Sequence, residues 1–157
     1  MQKKLEYMIT NMIHILMNSK NLMKRLCPMS NQQFEGCIKK SRLPYYDIVS
    51  GNIKFKARPV LLIKAEKNEG ACDFTVLPLS SISVKMNINS EYDIPIDKNV
   101  YPLLNLTRDT SYICTHKLMT LHTSQLSNQT IANLKELYPD LWSNIVSKIQ
   151  EYLSGLK

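Results

Sequence analysis

Arginine, serine, threonine and histidine near the ends of predicted strands are the side chains of this chain best suited to chemistry. An arginine fork binds two phosphate oxygens and stays charged. Other catalytic devices are missing: the four glycines, at positions 36, 51, 70 and 155, are too far apart for a phosphate-binding loop or a dinucleotide fingerprint. No two histidines lie one helical turn apart, and no serine elbow occurs. These absences exclude kinases, NTPases, dehydrogenases and zinc proteases.

The cysteines and histidines are spaced too widely to indicate a metal site. The four cysteines, at positions 27, 37, 72 and 114, form no zinc-finger or thioredoxin-type motif, so we expect reduced thiols. If His116 and His122 share one strand, six residues at about 3.3 Å each separate them by about 20 Å. We predict no metal and no cofactor. The two histidines fit either partly exposed strand positions or a role in proton donation or base stacking.

Excess positive charge is confined to the first 58 residues. The formal net charge is +7, and residues 1–58 hold 11 basic and three acidic side chains, against nine and ten in the remainder. Such a basic segment is typical of proteins that face nucleic acid or an anionic membrane surface, although a solvated basic helix that only aids solubility is equally consistent.

The first 45 residues are predicted to form a basic helical extension and a connector. Apolar residues recur at helical spacing on one stripe, at Leu5, Met8, Ile9, Met12, Ile13 and Leu16. The stripe could pack on the protein's own core, in a partner groove or on a membrane surface. Residues 28–45 contain many breakers and are predicted to be a connector. No apolar stretch is long enough for a membrane span and no secretory signal is recognisable, so we expect a cytoplasmic protein.

Strand signals dominate the middle of the chain, and helical signals return at its end. About six short strands are predicted, at Tyr45–Val49, Ile53–Phe55, Val60–Ile63, Phe74–Leu79, Tyr92–Ile96 and Ser111–Leu121. Many short strands joined by tight turns favour a small barrel. Ser127 or Asn128 could cap a helix through Leu137, and Pro139 and Gly155 bracket a second helix. The predicted fold class is therefore α+β, mainly β.

Four segments follow one another along the chain: KARPVLLI (56–63), TVLPLSS (75–81), YDIPI (92–96) and SYICTHKLMTLHTSQL (111–126). In this order they resemble the MazF/PemK toxins, which are messenger RNA endoribonucleases of toxin–antitoxin systems. KARPVLLI (56–63) is similar to the Arg-Pro strand of that family, and TVLPLSS (75–81) to the strand that follows it. YDIPI (92–96) resembles a short strand, and SYICTHKLMTLHTSQL (111–126) a long one, without a gap. The resemblance covers about residues 50–153, so we expect a MazF/PemK-like domain over residues 46–157.

The resemblance implies an SH3-like barrel of the MazF type that cleaves single-stranded RNA without metal. It also implies a homodimer and a small antitoxin protein as partner. By position, Arg58 matches the catalytic arginine of the family and Ser80 its catalytic threonine or serine. Ser81 is a further catalytic candidate, because either Ser80 or Ser81 would donate a hydrogen bond to the scissile phosphate. Cleavage by a 2′-hydroxyl requires stabilisation of charge on phosphorus, which suits Arg58 better than proton transfer. The expected RNA-binding residues are Lys54, Lys56, His116, Lys117 and Thr120.

Two other functions fit the sequence. The glycine-rich loop that usually precedes the Arg-Pro strand is missing, and His116–Lys117 stands where the family often has Glu-Gln. A related module that binds nucleic acid or a protein without cleaving is therefore the first alternative. A membrane-surface protein anchored by residues 1–26 is the second.

Overall fold

The computed structural model describes residues 30–82 and 84–155, and antiparallel strands make up most of this part. The strands are β1 (Cys37–Asp47), β2 (Asn52–Ala65), β3 (Asp73–Ser80), β4 (Asp93–Asp97), β5 (Thr110–Cys114), β6 (Met119–His122) and β7 (Leu126–Asn133). Two helices follow, α1 (Leu134–Leu137) and α2 (Pro139–Ser154). Short 3₁₀ turns occupy Asn31–Phe34, Lys85–Asn87, Pro102–Leu104 and Thr123–Gln125. The predicted N-terminal helix lies outside the described residues.

The strands form one strongly curled sheet. Their order is β4-β5-β3-β2-β1-β7, and β6 pairs with the first half of β3. One edge of β3 therefore pairs with β2, while the other edge pairs with β6 and then with β5. A mainly β architecture closed by C-terminal helices confirms the predicted α+β class.

Both faces of the central strands are buried. Leu61, Leu77 and Leu79 pack with helix α2, while Val60 and Leu62 belong to a second apolar cluster, which also contains Phe74 and Val76. Successive strand residues point to opposite faces, so a strand buried on both sides needs a continuous apolar run. The continuous apolar run at Val60–Ile63 meets this need, and the strand predicted there is confirmed.

The connector predicted over residues 28–45 is wrong from Cys37 onwards, because these residues form most of β1. Strand β1 pairs with β2 in a long hairpin, and the chain turns after Asp47. The sequence pattern does not predict this strand, because two of the side chains that point into the core are polar. Lys39 donates from Nζ to the carbonyls of Ser127 and Asn128, at 3.2 and 3.4 Å. Ser41 donates to the carbonyl of Gln125.

Two further boundaries differ from the predictions. The single strand predicted over residues 111–121 is split into β5 and β6 by a turn after Cys114, in which the Lys117 amide donates a hydrogen bond to the Cys114 carbonyl. Ser127 and Asn128 lie in β7 rather than at a helix start, and Asn133 caps α1 instead. Pro139 in the first turn of α2 and Gly155 after its last turn agree with the prediction.

Among the described residues, no helix is long and apolar enough to cross a bilayer.

Candidate active site

Arg58 of β2 and Ser80 of β3 are in direct contact. The antiparallel register pairs Val60 with Pro78, so two residues further along Arg58 stands opposite Ser80. The guanidinium Nη1 of Arg58 donates a hydrogen bond of 2.8 Å to Ser80 Oγ. Both residues are half-buried at the point where β2 and β3 leave the core. The contact places a permanent positive charge against a hydroxyl at the margin of the sheet.

A cleft of about 230 Å³ opens beside this pair, and we call it the arginine cleft. Its polar lining residues are Lys56, Arg58, Ser80, Ser81, Thr107, Arg108 and Ser111. Among the described residues, three cations and four hydroxyls thus surround the cleft, and no aspartate or glutamate lines it. Neither arginine forms an ion pair within the described ranges. Guanidinium groups that have no carboxylate partner, next to hydroxyl groups that can donate hydrogen bonds, are suited to bind a phosphate group.

A second cleft, of about 290 Å³, lies on the other side of the Arg58–Ser80 pair. We call it the lysine cleft, because Lys117 contributes its charge; Tyr45 of the β1–β2 hairpin lines it as well. Arg58 and Ser80 line both clefts. The interruption between β5 and β6 brings Lys117 here, since this residue sits in the turn that the interruption creates. The pair therefore lies between two adjoining clefts, which together we call the groove.

Lys54, Lys56 and Arg58 alternate along β2 and share one face. Side chains two residues apart on a strand point the same way and are spaced by about 6.7 Å. Tyr45 stands directly opposite Lys54 across the hairpin. Lys54 itself forms an ion pair with Asp47 near the end of the hairpin. The row of positive charge therefore extends from the arginine cleft along the hairpin, with its outermost lysine already paired.

The structure places the other expected site residues elsewhere. His116 packs near Tyr92 and Tyr152, with its Nδ1 3.5 Å from Oδ1 of the buried Asp93. Thr120 pairs with Thr75 and is exposed on β6. Neither His116 nor Thr120 lines the arginine cleft or the lysine cleft. In the described ranges, no group of three or more histidine, cysteine or acidic side chains is placed to hold a metal ion.

Arg108 is a site residue that the sequence analysis missed. It precedes β5 and lines the arginine cleft together with Thr107 and Ser111, at the start of that strand. In the sequence it reads as an ordinary charge in a polar turn, next to Asp109. The sequence feature that could have indicated a role for Arg108 is weak. It is the position of a basic residue directly before a strand, in the part of the chain that is close to neutral.

Cys114 lies near the site but is unsuited to nucleophilic catalysis. Burial, together with the nearby Asp93 carboxylate, raises the pKa of its thiol from 9.0 to about 12, against smaller opposing effects of Lys117 and Arg58. The thiolate is the reactive form of cysteine, and at neutral pH this side chain is held as the thiol.

We therefore expect Cys114 to resist alkylation in the native protein. Because its pKa is higher in the folded state, its contribution to stability is intact below pH 9.0 and is lost as the pH rises towards 12, by up to about 1.4 kcal/mol per pH unit. Iodoacetamide labelling followed by peptide mass spectrometry measures the first effect. Urea unfolding of wild type and Cys114→Ala between pH 8 and 11 measures the second. Rapid labelling at pH 8, or identical pH dependence in both proteins, would contradict the expectation.

No protein-family model matches the chain, and no curated protein sequence matches it either.

Proposed function

We propose that this protein is a MazF/PemK-like endoribonuclease that cleaves single-stranded messenger RNA without a metal ion. The observation that carries the proposal is the 2.8 Å contact between Arg58 Nη1 and Ser80 Oγ in a cleft lined by cations and hydroxyls. These are the two positions that the family resemblance assigns to catalysis. We include in the proposal an SH3-like barrel of the MazF type for the curled sheet.

In the proposed reaction, the 2′-hydroxyl of one nucleotide attacks its own 3′-phosphorus. The bond from phosphorus to the 5′-oxygen of the next nucleotide breaks as the new bond forms. The 2′-hydroxyl loses its proton and the departing 5′-oxygen gains one, so the products carry a 2′,3′-cyclic phosphate and a 5′-hydroxyl. Negative charge accumulates on the non-bridging oxygens in the transition state, where the Arg58 guanidinium stabilises it.

Ser80 is oriented by its bond to Arg58. Its oxygen accepts the hydrogen from Nη1, so the hydroxyl hydrogen remains available for another acceptor. A phosphate oxygen in the cleft can take that hydrogen bond while it also contacts the guanidinium. Arg108 lines the same cleft and adds a second guanidinium for the phosphate.

The two clefts give an extended RNA strand a path on both sides of the proposed scissile phosphate. Lys56 lies in the arginine cleft, while Lys117 and Tyr45 line the lysine cleft. Cations that follow the backbone and an aromatic ring for base stacking are typical of single-strand binding. We assign no RNA contact to His116 or Thr120, because neither lines these clefts.

We further propose a cytoplasmic homodimer that a small antitoxin protein inhibits. The β1–β2 hairpin supports a protein partner, because it exposes a group of large apolar side chains: Tyr46, Ile48, Val49, Ile53 and Phe55. Exposed apolar patches of this kind mark protein interaction surfaces.

A binding module that does not cleave is the second candidate function. It is favoured by one observation: no histidine, aspartate or glutamate among the described residues lines the arginine cleft as a general base. Such a module would hold the same phosphate with Arg58 and Arg108 and leave it intact.

Incubation of the purified protein with mixed-sequence single-stranded RNA in excess EDTA tests the proposal. Discrete fragments with 5′-hydroxyl and 2′,3′-cyclic phosphate ends are expected. Intact RNA together with measurable binding would replace the enzyme by the binding module. Intact RNA without binding would contradict both functions.

The two serines of the cleft should differ in importance. Ser80→Ala removes the hydroxyl that Arg58 orients, and we expect the cleavage rate to fall by about 10²-fold, as for the loss of one transition-state hydrogen-bond donor. Ser81→Ala is the matched control: Ser81 lines the cleft but is exposed, and no hydrogen bond of its side chain is seen in the described structure. Single-turnover cleavage measures both rates, and equal losses would contradict the role of Ser80.

A further inference from the structure

A third cleft, of about 350 Å³, continues the groove beyond the arginine cleft. It lies between β1, β7 and the segment 105–107, and we call it the amide cleft after Asn105 and Gln129, which line it. Pro59, Leu106 and Thr107 line both the arginine cleft and the amide cleft. The two clefts therefore adjoin along these three residues.

The lining of the amide cleft differs from that of its neighbour. Within the described part of the chain, Lys40 is the single charged residue that lines it, whereas three cations line the arginine cleft. The amide cleft instead combines apolar walls from Pro59, Leu106 and Ile131 with carboxamide side chains. Flat apolar surfaces bordered by a few hydrogen-bonding groups suit a planar heterocycle better than a second phosphate.

The amide groups of Asn105 and Gln129 are available for a ligand. In the described structure neither side chain makes a hydrogen bond to another residue, although Ser127 bonds the backbone carbonyl of Gln129. Asn105 has a positive φ of 51° at the end of a 3₁₀ turn, a conformation that asparagine tolerates well. A carboxamide offers a donor and an acceptor side by side, which is the pattern needed to read one edge of a nucleobase.

We propose that the amide cleft binds the base next to the scissile phosphate and that Gln129 and Asn105 read its edge. This inference rests on the proposed function, and it makes the protein selective for one base beside the cut. Single-stranded RNA allows such recognition, because its bases are unpaired and expose their hydrogen-bonding edges.

Cleavage mapping on a random-sequence RNA pool tests the inference. Wild-type protein should favour one base at one position next to the cut. In Gln129→Ala we expect that preference to fall by about tenfold, the discrimination typical of one amide–base contact, while cleavage at sites lacking the favoured base keeps its rate. Gln33→Ala, which changes an exposed glutamine outside all three clefts, should retain the wild-type preference. An unchanged preference in both Gln129→Ala and Asn105→Gly would overturn the inference and leave the nuclease proposal intact.

A binding measurement separates this inference from the nuclease proposal. Fluorescein-labelled homohexamers of A, C and U with 2′-O-methyl ribose cannot be cleaved, because they lack the attacking hydroxyl. Wild type should bind one of them about tenfold more tightly than the others, and Gln129→Ala should bind all three within about twofold. Equal binding of the three hexamers by wild type, together with no preference for G in the cleavage mapping, would overturn the inference. Selective binding without any cleavage of natural RNA would support it for the binding module and reject the nuclease.

Discussion

Arg58→Ala is expected to lower the rate of RNA cleavage by about 10²- to 10³-fold while weakening RNA binding only modestly. The guanidinium stabilises charge that develops only as the phosphate becomes pentavalent, so its loss raises the barrier more than it weakens the ground state. Arg108 and Lys56 line the same cleft and keep part of the attraction for the phosphate. Single-turnover cleavage and fluorescence anisotropy with a 2′-O-methyl RNA give the rate and the affinity separately.

Two further variants sharpen this prediction. Arg58→Lys keeps the charge but loses the planar fork, so it should recover only a small part of the activity. Lys64→Ala removes a positive charge from the same strand, six residues away and outside both clefts around Arg58, and should cleave at the wild-type rate. If Arg58→Ala cleaves like wild type, Arg58 has no catalytic role. If the affinity for RNA and the cleavage rate of this variant fall by the same factor, Arg58 contributes to RNA binding and not to catalysis.

Gly36→Ala is expected to destabilise the fold by about 2–5 kcal/mol. Gly36 has a φ of +88°, which costs a side-chain-bearing residue about 1–3 kcal/mol. An added Cβ would also lie 2.3 Å from Cβ of Lys135 and 3.2 Å from its backbone nitrogen, so helix α1 would have to move. That movement would strain two backbone bonds of Gly36, from its amide to Leu62 and from the Leu134 amide to its carbonyl.

Gly70→Ala is the matched control for this prediction. Gly70 has a similar φ of +74°, but no atom of the residues that the structure describes lies within 4 Å of the position where a Cβ would be added. Its substitution therefore incurs only the backbone cost, about 1–2 kcal/mol. Urea unfolding at neutral pH compares the two variants. A loss of stability in Gly36→Ala no larger than that in Gly70→Ala would show that the contact with α1 relaxes without cost.

The groove depends on residues far apart along the chain. Arg58 comes from β2, Ser80 from the end of β3, Arg108 from the residues before β5, and Lys117 from the turn between β5 and β6. Pairing of β3 with β2 on one edge and with β5 and β6 on the other brings these segments together. Variants that disturb this pairing should therefore reduce both stability and RNA cleavage.

Local sequence patterns determined those features that need no distant partner. A run of apolar residues was enough to predict the buried strand at Val60–Ile63, because burial on both faces leaves no place for a polar residue. The position of Pro139 and the glycine at 155 were enough to bracket α2, since a proline fits a first helical turn and a glycine tolerates a helix end. The ordered motifs that resemble the MazF/PemK toxins also assigned Arg58 and Ser80 to one site from the sequence alone.

Tertiary structure alone decided the features that depend on distant partners. Strand β1 buries Lys39 and Ser41, which is possible only because carbonyl groups of residues 125–128, more than 80 residues later, accept their hydrogen bonds. Because these side chains point inward and are polar, the sequence of β1 lacks the alternation of apolar and polar residues that marks a strand. Arg108 joins the arginine cleft in the same way, through the pairing of β5 with β3 rather than through any local motif. Sequence patterns report each residue's own neighbourhood, whereas a cleft is formed by segments that meet only after the sheet has closed.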